Sequence, residues 1–243
     1  MTKVAVVVGA SYGLGKEITI KLVKQNYIVY AIARNETKLK AISESIGCFY
    51  SAVDILDTEK IKIIFNDIFN KYNQLDLVFL NAAVKFKGFD FSKIHETINV
   101  NLVSQIRVVD IVIPFIEKSE GKIIFISSLG DQHPMINANG YNASKAALSN
   151  FARALRLDLM MRKSKITIIL VRPGLLNTKM LKNNSNLFLK KVKTSKAADI
   201  ILKNINRNKE NIIFPFYFRI LSWLLGNIPD SIFSTIFKIK KLK

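Results

Sequence analysis

The sequence predicts an α/β fold in a single domain: one parallel β-sheet, doubly wound, with helices on both faces. Two observations support this prediction. Short runs rich in β-branched residues alternate with amphipathic stretches of helical period along most of the 243 residues. These runs are apolar throughout, as strands buried on both faces of a parallel sheet are. We expect the domain to occupy residues 1–214 and a short helical extension, not an independent domain, to occupy 215–243.

The elements can be assigned in order along the chain. The first strand is VAVVV, at 4–8, and the amphipathic stretch 14–25 follows it as the first helix. Further strands are predicted at 27–32, 75–80, 122–126, 166–171 and 211–214, with another helix at 58–72. Ligands of such sheets bind beyond the carboxyl ends of the strands, so we look for functional residues there.

Composition argues against several classes of protein. Cys48 is the single cysteine, which precludes an internal disulfide, and the two histidines, His95 and His133, are not spaced as metal ligands. The N-terminus enters a strand without the pattern of a signal peptide, so we expect a cytoplasmic protein.

The net charge of +19 fits contact with nucleic acid, an anionic membrane or an anionic substrate. However, the lysines are widely scattered in a chain rich in Lys, Ile and Asn. We therefore attribute most of the positive charge to the general lysine-rich composition of the chain, and we expect no nucleic-acid partner.

A glycine-rich turn follows the first strand. In GASYGLG, Gly9, Gly13 and Gly15 have the spacing G-x-x-x-G-x-G before an amphipathic helix. Glycines allow a tight turn and a close approach of pyrophosphate, and the helix N-terminus offers free N–H groups to phosphate. A plain strand-to-helix turn would also contain glycine, but its position at the start of the α/β alternation favours nucleotide binding.

The end of the second strand indicates which nucleotide. Proteins that bind NAD usually carry an acid there, which holds the ribose 2′-hydroxyl. This chain has Ala33 and Arg34 instead. A guanidinium can pair with a 2′-phosphate, and no carboxylate stands there to repel it. We therefore predict NADP. NAD stays the alternative, because an exposed arginine after a strand is also common in proteins that bind no 2′-phosphate.

The stretch YNASK places Tyr141 four residues before Lys145. On a helix the two side chains would share a face. There the ammonium would favour the phenolate and lower the pKa of the phenol, which suits an acid/base catalyst. An ordinary solvated helix surface has the same spacing, so the pair has to be judged with the other motifs.

Together these motifs resemble those of the short-chain dehydrogenase/reductase family over almost the whole chain. GASYGLG is similar to the cofactor turn, LNAA (80–83) to the Asn-Ala-Gly motif, and RPGLLNT (172–178) to the Pro-Gly-x-x-x-Thr segment over the nicotinamide. The resemblance implies a Rossmann fold and the catalytic residues Asn101, Ser128, Tyr141 and Lys145. It implies cofactor contacts at Gly9, Ser11, Tyr12, Gly13, Leu14, Gly15, Arg34, Asp54, Asn81, Ala82, Ala83, Tyr141, Lys145, Pro173, Gly174 and Thr178.

The resemblance also implies a role for each catalytic residue. Tyr141 would be the acid/base, with its pKa lowered from about 10 by Lys145, which also binds the nicotinamide ribose. Ser128 would hold the substrate carbonyl and stabilise charge on its oxygen. Asn101 would hold a water that links Lys145 to solvent, and Asp54 would contact the adenine.

Two positions depart from the family pattern. Val8 stands where a threonine is usual, and Ala83 stands where the motif usually has glycine. Neither change touches the four catalytic residues. We therefore expect an active enzyme, an NADP-dependent oxidoreductase that reduces a carbonyl to an alcohol or catalyses the reverse reaction.

Two segments are expected to select the substrate. The loop between Ser128 and Tyr141 contains His133, which either contacts substrate or has no function. The segment after Thr178 is expected to form a mobile lid. Its lysines either meet an anionic group of the substrate or are solvated; they are Lys179, Lys182, Lys190, Lys191 and Lys193.

The C-terminal extension contains no uninterrupted apolar run of the ~20 residues that span a bilayer. Two short apolar helices joined at GNIPD are predicted, with Trp223 and a basic end, KIKKLK. They suit a membrane interface, as a peripheral contact, or packing on another subunit of a homodimer or homotetramer.

The extension also loosely resembles the tail of bacterial reductases that act on polyprenyl-phosphate-linked keto-sugars. This resemblance suggests a hydrophobic or lipid-linked carbonyl substrate. The alternatives are a small keto compound or an acyl-carrier thioester, with the tail used for oligomerisation, and a non-enzymatic NADP-binding protein.

Overall fold

The computed structural model describes residues 3–131, 136–178, 191–217 and 220. Within them, seven parallel strands form one sheet in the order β3-β2-β1-β4-β5-β6-β7. The strands are β1 (Val4–Val8), β2 (Ile28–Ala33), β3 (Phe49–Ala52), β4 (Leu77–Leu80), β5 (Lys122–Ile126), β6 (Thr167–Pro173) and β7 (Asn211–Phe214). The helices are α1 (Gly13–Lys24), α2 (Glu36–Ile46), α3 (Thr58–Tyr72), α4 (Phe91–Ile98), α5 (Ser104–Ser119), α6 (Asn139–Met161) and α7 (Thr194–Ile205).

Helices cover both faces of the sheet. Residues of α3, α5 and α6 pack in one apolar core and residues of α1, α2 and α7 in the other. The side chains of β1 alternate between the two cores: Val4, Val6 and Val8 lie in the first, and Ala5 and Val7 in the second. Both faces of the strand are therefore buried, which is why its sequence is apolar throughout. The predicted fold class is confirmed.

The element bounds agree closely with the prediction, and two differences have a structural reason. β4 begins at Leu77 rather than at 75, because the carboxylate of Asp76 accepts the Val4 N–H (2.7 Å) just ahead of the ladder. β6 continues to Pro173, which pairs with Phe214 at the end of β7.

Two short turns of other helix types interrupt the regular elements. A π-helical turn, Asn99–Val103, joins α4 to α5, and a 3-10 turn, Leu129–Asp131, follows β5. Both turns carry residues that matter for the site.

Among the described residues, one helical stretch of 29 residues, Phe91–Ser119, is long and apolar enough to cross a membrane by length and composition. Its α5 part packs on the sheet through Val108, Val112 and Ile116, all of which are buried. Core packing therefore accounts for its apolar residues. The two helices predicted in the C-terminal extension lie outside the described residues.

Candidate active site

The predicted site residues gather at the carboxyl edge of the sheet. Gly9 follows β1, Asn81 follows β4, Ser128 lies two residues after β5, and Pro173 ends β6. Beside β1 the strand order reverses, since β2 and β4 are its two neighbours. This reversal is where a doubly wound sheet binds its ligand.

The glycine turn is packed so closely that a side chain does not fit at two of its positions. A Cβ added to Gly9, which has φ +86°, would lie 2.6 Å from the backbone of Ala82. A Cβ added to Gly15 would lie 2.1 Å from the carbonyl oxygen of Gly9. The side-chain amide of Asn81 donates to this same oxygen (2.8 Å) and so ties β4 to the turn.

The start of α1 has the character of a phosphate site. None of the described side chains caps its first turn, so the first N–H groups can bind phosphate oxygens. Thr178 reaches this turn, because its methyl group would lie 3.3 Å from a Cβ added to Gly13. The segment after β6 therefore lies next to the glycine turn. Leu14 is buried in the core and offers only its backbone, whereas Ser11 is partly exposed and Tyr12 is exposed.

The end of β2 differs from the expectation in one respect. A carboxylate does lie near Arg34: Asp54, which follows β3, is 3.6 Å from the guanidinium. The prediction that no acid stands there was wrong, because it considered only the second strand. Both side chains are partly exposed (59% and 38%), so this ion pair is weak and can exchange for another anion. Lys38, whose ammonium is 5.0 Å from the ring centroid of Tyr12, is a second cation nearby.

Asn101 is fully buried and anchors the loop after β4. Its amide oxygen accepts the Val84 N–H (2.8 Å), and its amide nitrogen donates to the Val84 carbonyl (2.9 Å) and to the hydroxyl of Ser144 on α6 (3.1 Å). Asn101 lies in the π-helical turn, a feature frequent at functional sites. Gln105 donates to the Ala82 carbonyl (2.7 Å). Ala83, partly buried, thus lies between two anchored residues.

Three of the four predicted catalytic residues lie together. Tyr141 and Lys145 are one turn apart on α6, and the Lys145 ammonium is 6.0 Å from the ring centroid of Tyr141. The hydroxyl of Ser128 hydrogen-bonds to the Tyr141 phenol and accepts the Gly130 N–H (3.1 Å). Asn101 reaches this group indirectly, through Ser144.

Burial dominates the ionisation of the two α6 residues. Lys145 is 2% exposed, and its ammonium donates to the carbonyl of Ile126 (2.8 Å). Burial lowers the pKa of Lys145 to about 7, although the charge of Asp131 opposes this. Burial raises the pKa of Tyr141, the bond from Ser128 lowers it, and Asp131 raises it. The net pKa of Tyr141 is raised, so the expected lowering by Lys145 is not observed.

Other residues at the site carried no recognised signal. The ammonium of Lys85 lies 5.1 Å from the ring centroid of Tyr141, and burial and then Lys87 lower the pKa of Lys85. Asp131 and Arg172 form a close ion pair (2.5 Å) beside the catalytic group. Each of the two residues lies next to a recognised motif, Asp131 after Ser128 and Arg172 before Pro173-Gly174, and this position was a signal that the sequence-based prediction did not use. The sequence alone could not show that these two residues, 41 positions apart, form an ion pair.

The two segments that are predicted to select the substrate are described only at their edges. His133, Lys179, Lys182 and Lys190 lie outside the described residues, while Lys191 and Lys193 are exposed. Leu176, just before the second segment, and Val192, near its end, form a parallel β-bridge. Within the described ranges, no group of three His, Cys, Asp or Glu side chains could hold a metal ion.

A dinucleotide-type turn beside a Ser–Tyr–Lys group is the arrangement of a nicotinamide-dependent oxidoreductase, and comparison with known proteins gives its family. The family model described as short chain dehydrogenase matches residues 3–187. An uncharacterized oxidoreductase of Saccharomyces cerevisiae is 30% identical over 189 residues, which cover 74% of this chain and 73% of the yeast protein. The chain belongs to the short-chain dehydrogenase/reductase family, as the motifs indicated.

Two further matches agree with this assignment. A benzil reductase ((S)-benzoin forming) of the same yeast is 27% identical over 201 residues, covering 75% of each chain. The structure of an alcohol dehydrogenase from the archaeon Thermococcus sibiricus, complexed with 5-hydroxy-NADP, superposes with a TM-score of 0.77 at 20% identity and covers 88% of this chain and 96% of that one. This likeness shows the shared fold.

Proposed function

We propose that this protein is an NADPH-dependent reductase of a hydrophobic or lipid-linked carbonyl compound, or a dehydrogenase of the corresponding alcohol. The observation that carries the proposal is the contact group of Ser128, Tyr141 and buried Lys145 at the edge where the cofactor turn lies. Family membership supports an oxidoreductase, and the intact group supports catalysis over mere nucleotide binding.

The residues of the chain have distinct parts in the reaction. Ser128 and Tyr141 both direct hydroxyl groups at the substrate oxygen and hold it. Because its pKa is raised, Tyr141 is protonated at neutral pH and can donate its proton to the oxygen as negative charge develops there. The cofactor, when bound, supplies the hydride for reduction.

Lys145 replaces the proton that Tyr141 gives up. Its pKa of about 7 allows it to release and regain a proton near neutral pH. We predict that a water held near Asn101 connects Lys145 to solvent. Asn101 also has a structural part, since it fixes the loop after β4 to α6.

Two positive groups support NADPH over NADH. Arg34 and Lys38 both lie after β2 and are exposed, and the ion pair between Arg34 and Asp54 is long and solvent-exposed. A dianionic 2′-phosphate would compete well with one carboxylate for the guanidinium. The archaeal neighbour binds an NADP analogue, which agrees with this preference.

The preference for a hydrophobic carbonyl is supported by two observations. Benzil, named for one relative, is an apolar diketone. The loop that begins with Lys85 beside Tyr141 leads to Phe89 and to Phe91, the first residue of α4; these two rings are 75% and 62% exposed and pack edge to face (5.1 Å between ring centroids). The two rings therefore give an apolar surface to a part of the chain whose other end lies beside Tyr141.

The first experiment is titration of the protein with NADPH and NADH, followed by the increase in cofactor fluorescence. NADPH should bind more tightly, and Arg34→Ala should weaken NADPH by about tenfold while NADH changes little. Lys40→Ala, which changes an exposed lysine further along α2, is the control. Equal binding of both cofactors by the wild type would contradict the assignment of Arg34.

The second experiment tests the chemistry with benzil and NADPH. Tyr141→Phe removes the proton donor and should lower kcat by about 10²–10⁴-fold while NADPH still binds. Turnover by Tyr141→Phe close to that of the wild type would overturn the mechanism. NADPH binding without reduction of benzil or other carbonyls would favour the non-enzymatic alternative.

The role of residues 215–243 stays a prediction. Either they pack on another subunit of a homodimer or homotetramer, or they contact a membrane from the cytoplasmic side. Sedimentation of the full chain with and without anionic liposomes separates these two outcomes. A small keto substrate would fit the first, and a lipid-linked substrate the second.

A further inference from the structure

A buried carboxylate lies beside the catalytic group and has no part in the reaction described above. Asp131 ends the 3-10 turn after β5, three residues beyond Ser128, and its side chain is 2% exposed. Carboxylates are rarely buried so deeply unless they are paired. The groups that surround Asp131 must therefore compensate for its burial.

Asp131 connects the three elements that carry the site. Arg172, at the end of β6, and Ser149, on α6, both donate to the same carboxylate oxygen, Oδ2 (2.5 Å each). The Ser149 hydroxyl lies 2.6 Å from that of Ser127, which in turn donates to the backbone carbonyl of Lys145 (3.2 Å). The network thus ties the ends of β5 and β6 to the turn of α6 that holds the catalytic lysine.

The other carboxylate oxygen of Asp131 acts on neighbouring groups through its charge. Oδ1 is buried and has no hydrogen-bond partner among the described residues. A charge that is buried and incompletely paired acts strongly on its neighbours. In agreement, Asp131 raises the pKa values of both Tyr141 and Lys145.

Few other charges face this group. Lys85, from the loop after β4, lies against Tyr141, and Arg172 lies against Asp131. On α4, which packs against α6, Lys93 and Glu96 pair with each other (2.8 Å), and His95 is exposed. Asp131 is thus the anion of the described structure whose charge favours the protonated form of Lys145.

We propose that Asp131 is a positioning residue of this oxidoreductase: anchored by Arg172 and Ser149, it holds the Ser128 turn against α6 and favours the charged form of Lys145. This inference rests on the proposed carbonyl reduction for its effect on turnover. Its electrostatic part concerns the protein alone and can be measured without substrate.

The direct test is an NMR titration of the Lys145 side chain, assigned by its loss in Lys145→Met. In Asp131→Asn, an isosteric change that can still accept from Arg172 and Ser149, the pKa of Lys145 should fall by about one unit or more. Arg172→Gln keeps a donor for the carboxylate but removes the cation, so the pKa of Lys145 should rise. These opposite signs do not arise from a general loss of stability, and Arg172→Gln serves if Asp131→Asn does not fold.

A matched control is available at the opposite edge of the sheet. Arg156 is buried to a similar extent as Arg172 (12% and 11% exposed) and pairs with Glu210 (3.5 Å), just before β7. Glu210→Gln should leave the Lys145 titration unchanged. If Asp131→Asn also leaves it unchanged, the proposal is wrong.

Kinetics with benzil and NADPH complete the test. Asp131→Asn should lower kcat by about tenfold or more, leave the KM for benzil within about twofold, and move the alkaline limb of the reduction profile to lower pH. A purely structural role would lower the thermal midpoint without moving this limb, and that result would overturn the proposal. If the wild type does not reduce benzil, the proposed function fails for this substrate, while the NMR titration still decides the role of Asp131.

Discussion

Lys145→Met should make the protein more stable while it abolishes turnover. The wild-type ammonium is 2% exposed, and its charged form is disfavoured strongly enough that the pKa falls from 10.5 to about 7. Methionine has a similar length and no charge, so it removes this cost. The burial of Lys145 therefore lowers the stability of the protein, and it also gives the lysine a pKa at which it can exchange protons at neutral pH.

The magnitude follows from the pKa difference. At about 1.4 kcal/mol for each pKa unit, the fall from 10.5 to about 7 corresponds to about 5 kcal/mol when the lysine is charged. Methionine leaves the Ile126 carbonyl without its donor, at a cost of about 1–3 kcal/mol. Asp131 also loses the cation beside it. We expect a net gain of about 2 kcal/mol at pH 6.

The gain should depend on pH in a defined direction. Because the pKa of Lys145 is lower in the folded protein, the unfolded chain binds one more proton between pH 7 and 10.5. The wild type therefore gains about 1.4 kcal/mol of stability per pH unit above pH 7 from this group, and the variant does not. The advantage of the variant should shrink above pH 7, vanish at about pH 8.5 and be slightly reversed at pH 9.

Urea unfolding followed by circular dichroism at pH 6, 7.5 and 9 measures this difference. Taking the variant minus the wild type cancels the titrating groups that do not interact with Lys145. Lys40→Met, at an exposed position on α2, should show no such trend. A stability difference that is constant between pH 7 and 9 would refute the reasoning, because Lys145 would then not titrate near neutrality in the folded protein.

Three further predictions concern the scaffold of the site. Gly15→Ala places a Cβ 2.1 Å from the Gly9 carbonyl and 2.6 Å from the Asn81 amide, so a loss of about 3 kcal/mol in urea unfolding and weaker NADPH binding are expected; unchanged binding would contradict the packing of the turn. Asn101→Ala leaves both backbone groups of Val84 without their side-chain partner and should lower the free energy of unfolding by about 2–5 kcal/mol. Ser144→Ala removes only the bond between Asn101 and Ser144 and should lower it by about 1 kcal/mol. Equal losses of stability in the two variants would argue against the anchoring role of Asn101. Gln105→Leu should weaken NADPH binding by about threefold to tenfold through the freed Ala82 carbonyl, as measured by cofactor fluorescence, and wild-type affinity would show that this carbonyl needs no anchor.

Local patterns in the sequence were enough for much of this protein. The apolar run at 4–8 and the amphipathic stretch at 58–72 agree with β1 and α3 at both ends. Strands and helices of this kind are determined by the period of apolar residues, which is a local property. The spacing of Tyr141 and Lys145 placed them on one helix face for the same reason. Family motifs in register then pointed to Ser128, which the structure brings to Tyr141.

The tertiary structure decided what depends on partners far apart in the chain and on burial. Asp54 reaches Arg34 only because β2 and β3 are neighbours, and Asp131 meets Arg172 only because β5 and β6 are. The π-helical turn that directs Asn101 at Val84 carries no local sequence pattern that predicts it. Burial also reversed the expected direction of the Tyr141 pKa, because the free energy of removing a phenolate from water depends on everything packed around it, and only the folded arrangement defines that surrounding.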